Sequence, residues 1–180
     1  RAATTAAAEL IDASDLGRIA PDMLADIIGV PGDPLDDITV TQRVKFVMKD
    51  GKVEQVVLPI EGVGMWGTVY GLIALDRDGN TVRGLTFYDQ KETPGLGGEI
   101  SNPRWQALWQ GRRVFDDKWQ PQLVVIKGQA GPPDKDPHRI DGLSGATITS
   151  NAVSRVMAFW MSNEGYGPFL KKFRAGAILP

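Results

Sequence analysis

Apolar residues along this chain change their spacing from helical to alternating and back, and each change marks a predicted element. Across residues 6–30, Leu10, Ile11, Leu16, Ile19, Met23, Leu24, Ile27 and Ile28 recur at helical spacing. This predicts one or two short helices broken near Gly17 and Pro21. Pro31-Gly32-Asp33-Pro34 ends them, so residues 1–35 are expected to form an N-terminal helical segment. Then Val44, Phe46 and Met48 alternate with Arg43, Lys45 and Lys49 across Val47, predicting a strand over residues 40–49. Asp50-Gly51 supplies a hairpin turn into a partner strand at 53–60. A second β pair, 68–75 and 81–88, flanks the turn signal Asp78-Gly79-Asn80.

Residues 103–108 read as a short helix with Trp105, Leu108 and Trp109 on one face, and 123–126 as a brief strand. A Gly- and Pro-rich loop over 128–137 follows. A closing helix begins near Thr149, where Ala152, Val153, Val156, Met157 and Trp160 lie three or four residues apart; Glu164-Gly165-Tyr166-Gly167-Pro168 ends it. Hairpins in the middle with helices at both ends predict an α+β fold with a mainly antiparallel sheet flanked by helices. No repeat or long linker divides the chain, so residues 1–180 are expected to form a single domain, large enough to bury a core.

Composition narrows the chemistry. Lys+Arg 20 against Asp+Glu 22 gives a net charge of -2, with no sign of a nucleic-acid partner or a polybasic membrane patch. Zero cysteines exclude thiolate catalysis, disulfides and Fe–S ligation by this chain. A single histidine, His138, argues against a multi-histidine metal site. No run reaches the roughly 18 apolar residues of a membrane span. The Arg1 start is compatible with a targeting or anchoring segment upstream.

Several motifs invite a reading. Gly62-Val63-Gly64-Met65-Trp66-Gly67 matches the dinucleotide fingerprint, but that site needs a helix opening at the last glycine, and Thr68 to Ile73 is strand-like. Met65 and Trp66 fit either an aromatic wall beside a flat ligand or a sheet corner. Gly142-Leu143-Ser144-Gly145-Ala146 departs from the hydrolase elbow at Ala146, and His138 precedes Ser144, against that fold's chain order. Lys91-Glu92-Thr93-Pro94-Gly95-Leu96-Gly97-Gly98-Glu99 is either a tight loop or a place where bare backbone approaches a ligand's polar edge with Leu96 on its face. Asp36-Asp37 and Asp116-Asp117 are expected to be solvated pairs, not a tuned acid and base.

The densest signal is Asp141-Gly142-Leu143-Ser144-Gly145-Ala146-Thr147-Ile148-Thr149-Ser150, where two glycines and four hydroxyl residues immediately precede the closing helix. A helix start with Ser144 or Thr149 as N-cap accounts for it. So does an anion site, because a helix N-terminus gathers unpaired N–H groups and partial positive charge.

Asp141 to Thr147 is similar to the motif by which some proteins carry FMN through a phosphoester to threonine. The other matching blocks are Gly64-Met65-Trp66-Gly67, Glu92 to Glu99, Asn102-Pro103-Arg104-Trp105 and Glu164-Gly165-Tyr166-Gly167-Pro168-Phe169-Leu170. With these blocks in that order, the chain resembles the NqrC family, the C subunits of the Na+-translocating NADH:quinone oxidoreductases. The flavin subunit of Rnf electron-transport complexes shares some of these elements, but the Gly-Met-Trp-Gly and Asn-Pro-Arg-Trp blocks favour the quinone oxidoreductase.

The resemblance implies an FMN-binding α+β domain on the periplasmic side of the bacterial inner membrane, with a transmembrane anchor upstream that this sequence lacks. FMN would be esterified to Thr147 by a separate flavin transferase using FAD. Trp66 and Leu96 would flank the isoalloxazine, with Glu92, Thr93 and Gly95 towards its polar edge. Ser144, Gly145, Ala146, Ile148 and Thr149 would surround the attachment, and Lys127 would be an electrostatic partner. The implied function is electron relay between redox centres of the membrane complex, with the other subunits as partners and no turnover by this chain alone. A redox-inert assembly domain of the same fold is the alternative.

Overall fold

The computed structural model describes residues 27–29, 32–33, 36–37, 46–49 and 52–176. The chain falls into two compact units, Arg1–Val56 and Val57–Pro180. In the first, β1 (Ile27–Gly29) pairs antiparallel with β2 (Phe46–Lys49), which pairs with the first residues of β3 (Lys52–Val63). Ile27 and Ile28, expected at the end of the helical segment, therefore lie in a strand. Backbone pairing across the ladder, Ile27 opposite Met48 and Ile28 opposite Val47, takes precedence over the local helical spacing. The rest of the expected 6–30 helices, strand residues 40–45 and the Asp50-Gly51 turn lie outside the described residues. At 31–34, Gly32 has φ 90°, and the Asp33 carbonyl accepts from the N–H groups of Asp36 and Asp37, as a turn requires.

The second unit contains the remainder of β3, followed by β4 (Thr68–Asp76) and β5 (Val82–Asp89), adjacent in that order. β4 alternates strictly, burying Val69, Gly71, Ile73 and Leu75, as a strand with one face on a core should. β5 keeps the same core with Val82, Leu85 and Phe87, although Val82 and Leu85 are an odd number of residues apart. A bulge explains this: Ala74 faces Gly84 and Leu75 faces Val82, so Arg83 is extra; Tyr88 is extra likewise between Tyr70 and Gly71. The outer edge of β5 is covered. Val82 N–H donates to Arg112 O at 2.8 Å, Gly111 N–H to Val82 O at 2.9 Å, and the Ser101 hydroxyl to Phe87 O at 3.2 Å.

A 3-10 turn (Gly97–Ser101) leads into α1 (Pro103–Ala107), N-capped by Asn102 Oδ1 accepting from Arg104 N–H at 2.9 Å. The strand expected at 123–126 is β6 (Val124–Val125). It pairs in parallel with β7 (Arg139–Ile140), a strand that the Gly/Pro-rich pattern at the end of the loop does not announce. The closing helix α2 spans Thr147–Trp160, starting two residues before the expected position, and buries Ala152, Val153, Val156 and Met157 along one face. α2 stops at Trp160, before the 164–168 segment expected to end it, and that segment instead starts α3 (Gly167–Arg174), because proline at the first turn of a helix loses no intrahelical bond. The observed class is α+β, as expected, with an antiparallel sheet flanked by helices.

Candidate functional site

The loop before α2 is fixed from three sides. Asp141 O accepts from Trp105 Nε1 at 2.9 Å, its Oδ1 accepts from Ala130 N–H at 2.9 Å, and Gly142 N–H donates to Gly128 O at 2.9 Å. A Cβ on Gly142 would overlap the Ile126 carbonyl, so only glycine passes there. Gly145 has φ 71°, and a Cβ on it would lie 2.9 Å from Leu96 Cδ2. The glycine loop at 92–99 and the turn before α2 are therefore in direct contact.

The helix start differs from either cap expected for it. Ala146 occupies the N-cap and offers no side-chain bond, whereas Ser144 is exposed and Thr149 is buried within the first turn. Thr149 Oγ1 instead donates to Glu92 Oε2, and Ser150 Oγ accepts from Leu143 N–H at 3.2 Å. Both hydroxyls are thereby held by tertiary contacts unavailable to a local cap. Among the described residues, no hydrogen bond within the protein is formed by the N–H groups of Thr147, Ile148 or Thr149. Thr147, first in the helix, keeps its side chain exposed beside them.

Glu92 is buried and takes up both carboxylate oxygens. Oε1 accepts from the N–H of Met65 at 2.8 Å and of Trp66 at 3.0 Å, while Oε2 accepts from Thr149. It thus joins the β3–β4 turn to the first turn of α2. That β3–β4 turn is closed by Gly64 N–H donating to Gly67 O at 2.8 Å and continues into β4, so Gly62 to Gly67 form a hairpin and no dinucleotide fingerprint. Trp66 is 63% exposed, Met65 47%, Leu96 42% and Ile148 53%, an amount of uncovered apolar surface that contrasts with the packed core.

An open cleft of about 520 Å³ brings together Thr147, Ser144, Gly145 and Lys127, with Gly128, Gln129 and Asn151 also on its walls. Asn151 stands one turn after Thr147 and Gln129 two residues after Lys127. The helical spacing could have pointed to Asn151; nothing in the sequence pointed to Gln129. Thr93 and Gly95 have local roles: the Thr93 carbonyl accepts from Leu96 and Gly98 N–H, and Gly95 turns the loop at φ 73°. His138 places Nδ1 2.8 Å from the Arg113 carbonyl, as a loop residue, and among the described residues no cluster of acidic or histidine side chains could hold a metal.

The family model for the FMN-binding domain matches residues 64–162, more than half of the sequence. The chain belongs to the FMN-binding domain family. This FMN-binding domain is 55% identical to the C subunit of the Na(+)-translocating NADH-quinone reductase of Yersinia pestis over 128 residues, 71% of this chain and 47% of that protein. It is 47% identical to the same subunit of Vibrio anguillarum over 136 residues, 75% of this chain and 52% of that protein. It spans about half the length of these relatives. The crystal structure of Shewanella oneidensis NqrC superposes with a TM-score of 0.68 at 33% identity, covering 87% of this chain and 71% of that one. The corresponding subunit of Parabacteroides distasonis gives 0.60 at 30% identity, covering 78% and 71%. The FMN-binding domain is thus of the NqrC type. Its exposed hydroxyl, free helix-end N–H groups, nearby lysine and uncovered aromatic surface suit a flavin phosphate and a flat ring.

Proposed function

We infer that this FMN-binding domain carries FMN as a phosphoester of Thr147 and relays electrons between redox centres of a Na+-translocating NADH-quinone reductase. The observation that carries the reading is the difference among the hydroxyls around the α2 N-terminus. Thr149 and Ser150 are engaged and buried, Ser144 and Thr147 are exposed, and of these two Thr147 is the first residue of the helix, next to N–H groups without acceptors among the described residues. An ester phosphate there would meet the positive end of α2, an interaction of about 0.3–1 kcal/mol at an exposed site. The names of the relatives support a multi-subunit Na(+)-translocating NADH-quinone reductase as the setting, with its other subunits as partners, whereas a flavin transferase for maturation rests on the resemblance. Among the described residues no helix is long and apolar enough to cross a membrane, so anchoring and the periplasmic placement rest on the resemblance.

When bound, the flavin would supply the one-electron chemistry. The protein holds and shields it. Trp66 and Leu96 would flank the ring, Glu92, Thr93 and Gly95 would lie towards its polar edge, and Lys127 would offer positive charge across the cleft. Ser144, Gly145, Ala146, Ile148 and Thr149 shape the turn that presents Thr147. No turnover is expected of this chain alone. Co-expression with a flavin transferase should add the mass of FMN less one water and leave a yellow protein after denaturing gel filtration. A colourless protein would support the redox-inert alternative, and an adduct retained by Thr147→Ala would overturn the residue assignment.

A further inference from the structure

Glu92 has a geometry that holding a turn alone does not require. The residue is 5% exposed, and its carboxylate accepts three hydrogen bonds from two segments distant in sequence, Met65-Trp66 on one side and Thr149 on the other. The surroundings leave no room for change: a Cβ on Gly64 would lie 2.5 Å from Glu92 Oε1, and one on Gly97 would lie 2.7 Å from Oε2. Its own N–H donates to Gln90 Oε1 at 2.6 Å, fixing the backbone from which the side chain projects. The exposed Trp66 ring therefore sits on a hairpin tip whose two amides are tied, through one carboxylate, to the helix turn bearing Thr147.

We propose that Glu92 is a positioning residue that clamps the Met65-Trp66 tip to the first turn of α2, fixing the Trp66 face relative to a flavin tethered at Thr147. This rests on the reading of Thr147 as the attachment point. A single ester leaves the ring free to rotate about the linking bonds, so only a wall held rigidly to the same helix turn can define where the ring rests. Glu92 supplies that rigidity without touching the attachment oxygen: its contacts are with Thr149, Met65 and Trp66.

The test uses Glu92→Gln, Glu92→Ala, Thr149→Val and Thr149→Ser in the full chain, each co-expressed with the transferase. Glu92→Gln keeps the shape and an acceptor for the two amides. Thr149→Val removes the helix-side donor alone, and Thr149→Ser restores it. Hydrogen exchange at the Met65 and Trp66 amides should accelerate by about tenfold or more in Glu92→Ala, which loses their acceptor. Flavin emission, quenched in the wild type by the fixed indole, should rise severalfold in Glu92→Ala and Thr149→Val and return to the wild-type level in Thr149→Ser. The proposal is overturned if emission in Thr149→Val equals that of the wild type, or if exchange at the two amides does not move in Glu92→Ala; Glu92→Gln, which can keep all three bonds, should stay near the wild-type emission. Should Glu92→Ala not fold, the emission of the other three variants decides. A wild type without any adduct would sink the attachment reading instead, while the exchange measurement would still judge the clamp.

Discussion

The two ends of α2 are finished in opposite ways. The C-terminal end is closed by several contacts. Met161 N–H donates to Met157 O at 3.0 Å, Trp160 Nε1 reaches Glu61 O at 2.7 Å, Tyr166 stacks on Trp160 with centroids 5.0 Å apart, and its hydroxyl donates to Pro59 O at 2.7 Å. Leu170 of α3 is fully buried, and its carbonyl lies near the β4–β5 turn at Gly79. At the N-terminal end the cap has no side-chain bond, three N–H groups have no acceptor among the described residues and Thr147 faces solvent. An ordinary N-cap side chain would stabilise that end by about 1 kcal/mol, so Ala146 forgoes a gain that the other end takes in full. The difference separates what holds the domain together from what it presents to a ligand.

Substitutions should separate along the same line. The largest effect is expected at the open end: Thr147→Ala should lose the flavin adduct entirely by intact mass, while thermal melting of the apoprotein stays close to wild type because the side chain is exposed. A large fall in melting temperature would break the comparison. Next, at the closed end, Leu170→Ala should cost about 2–5 kcal/mol in urea unfolding by leaving a cavity, with the adduct still forming on Thr147. Gly165→Ala should cost about 1–3 kcal/mol, since its Cβ would overlap the Trp160 carbonyl, again with loading intact.

The smallest effect concerns the turn beneath α3. Burial works against the Asp78 carboxylate, but the Thr81 hydroxyl at 2.6 Å, the N–H groups of Thr81 and Asn80, and Arg113 outweigh it and hold its pKa below 3.8. A depressed carboxylate stabilises the fold above its unfolded pKa, and that contribution is lost as pH falls through the lower folded value. Melting curves below about pH 4 should therefore flatten in Asp78→Asn, which near neutrality should cost no more than a few tenths of a kcal/mol after solvent screening. An equal acid dependence in the variant would remove Asp78 from the account.

Legibility in the sequence followed the range of the forces involved. The hairpin strands, the turn at Gly79 and the buried stripe of α2 depend on alternation or helical spacing within a few residues, and each was readable. β7 was not, because Arg139 and Ile140 pair with β6 across a loop. α3 was hidden because Gly167-Pro168 signals both a stop and a start. At the candidate site, the cluster of two glycines and four hydroxyl residues before α2 was recognisable as a helix start or an anion site. Residue types could not separate Thr147 from Ser144 and Thr149, and the resemblance had to supply that choice. The contact that occupies Thr149 sets that hydroxyl apart, while Ser144 and Thr147 both stay exposed in the cleft, so the choice between them still rests on the resemblance. Glu92 was expected near the ligand, yet its three-way bonding becomes visible only when residues 65, 92 and 149 meet.

The covered outer edge of β5 has a consequence for the domain's life among its neighbours. A bare edge strand offers a ladder to any other extended chain and invites fibrous self-association. Here Arg83 and Tyr88 bulge out of register, Arg112 and Gly111 pair with Val82, and Ser101 caps Phe87. That edge gives a passing strand little to template on, so even in crowded surroundings this domain would not be recruited into aggregates through β5.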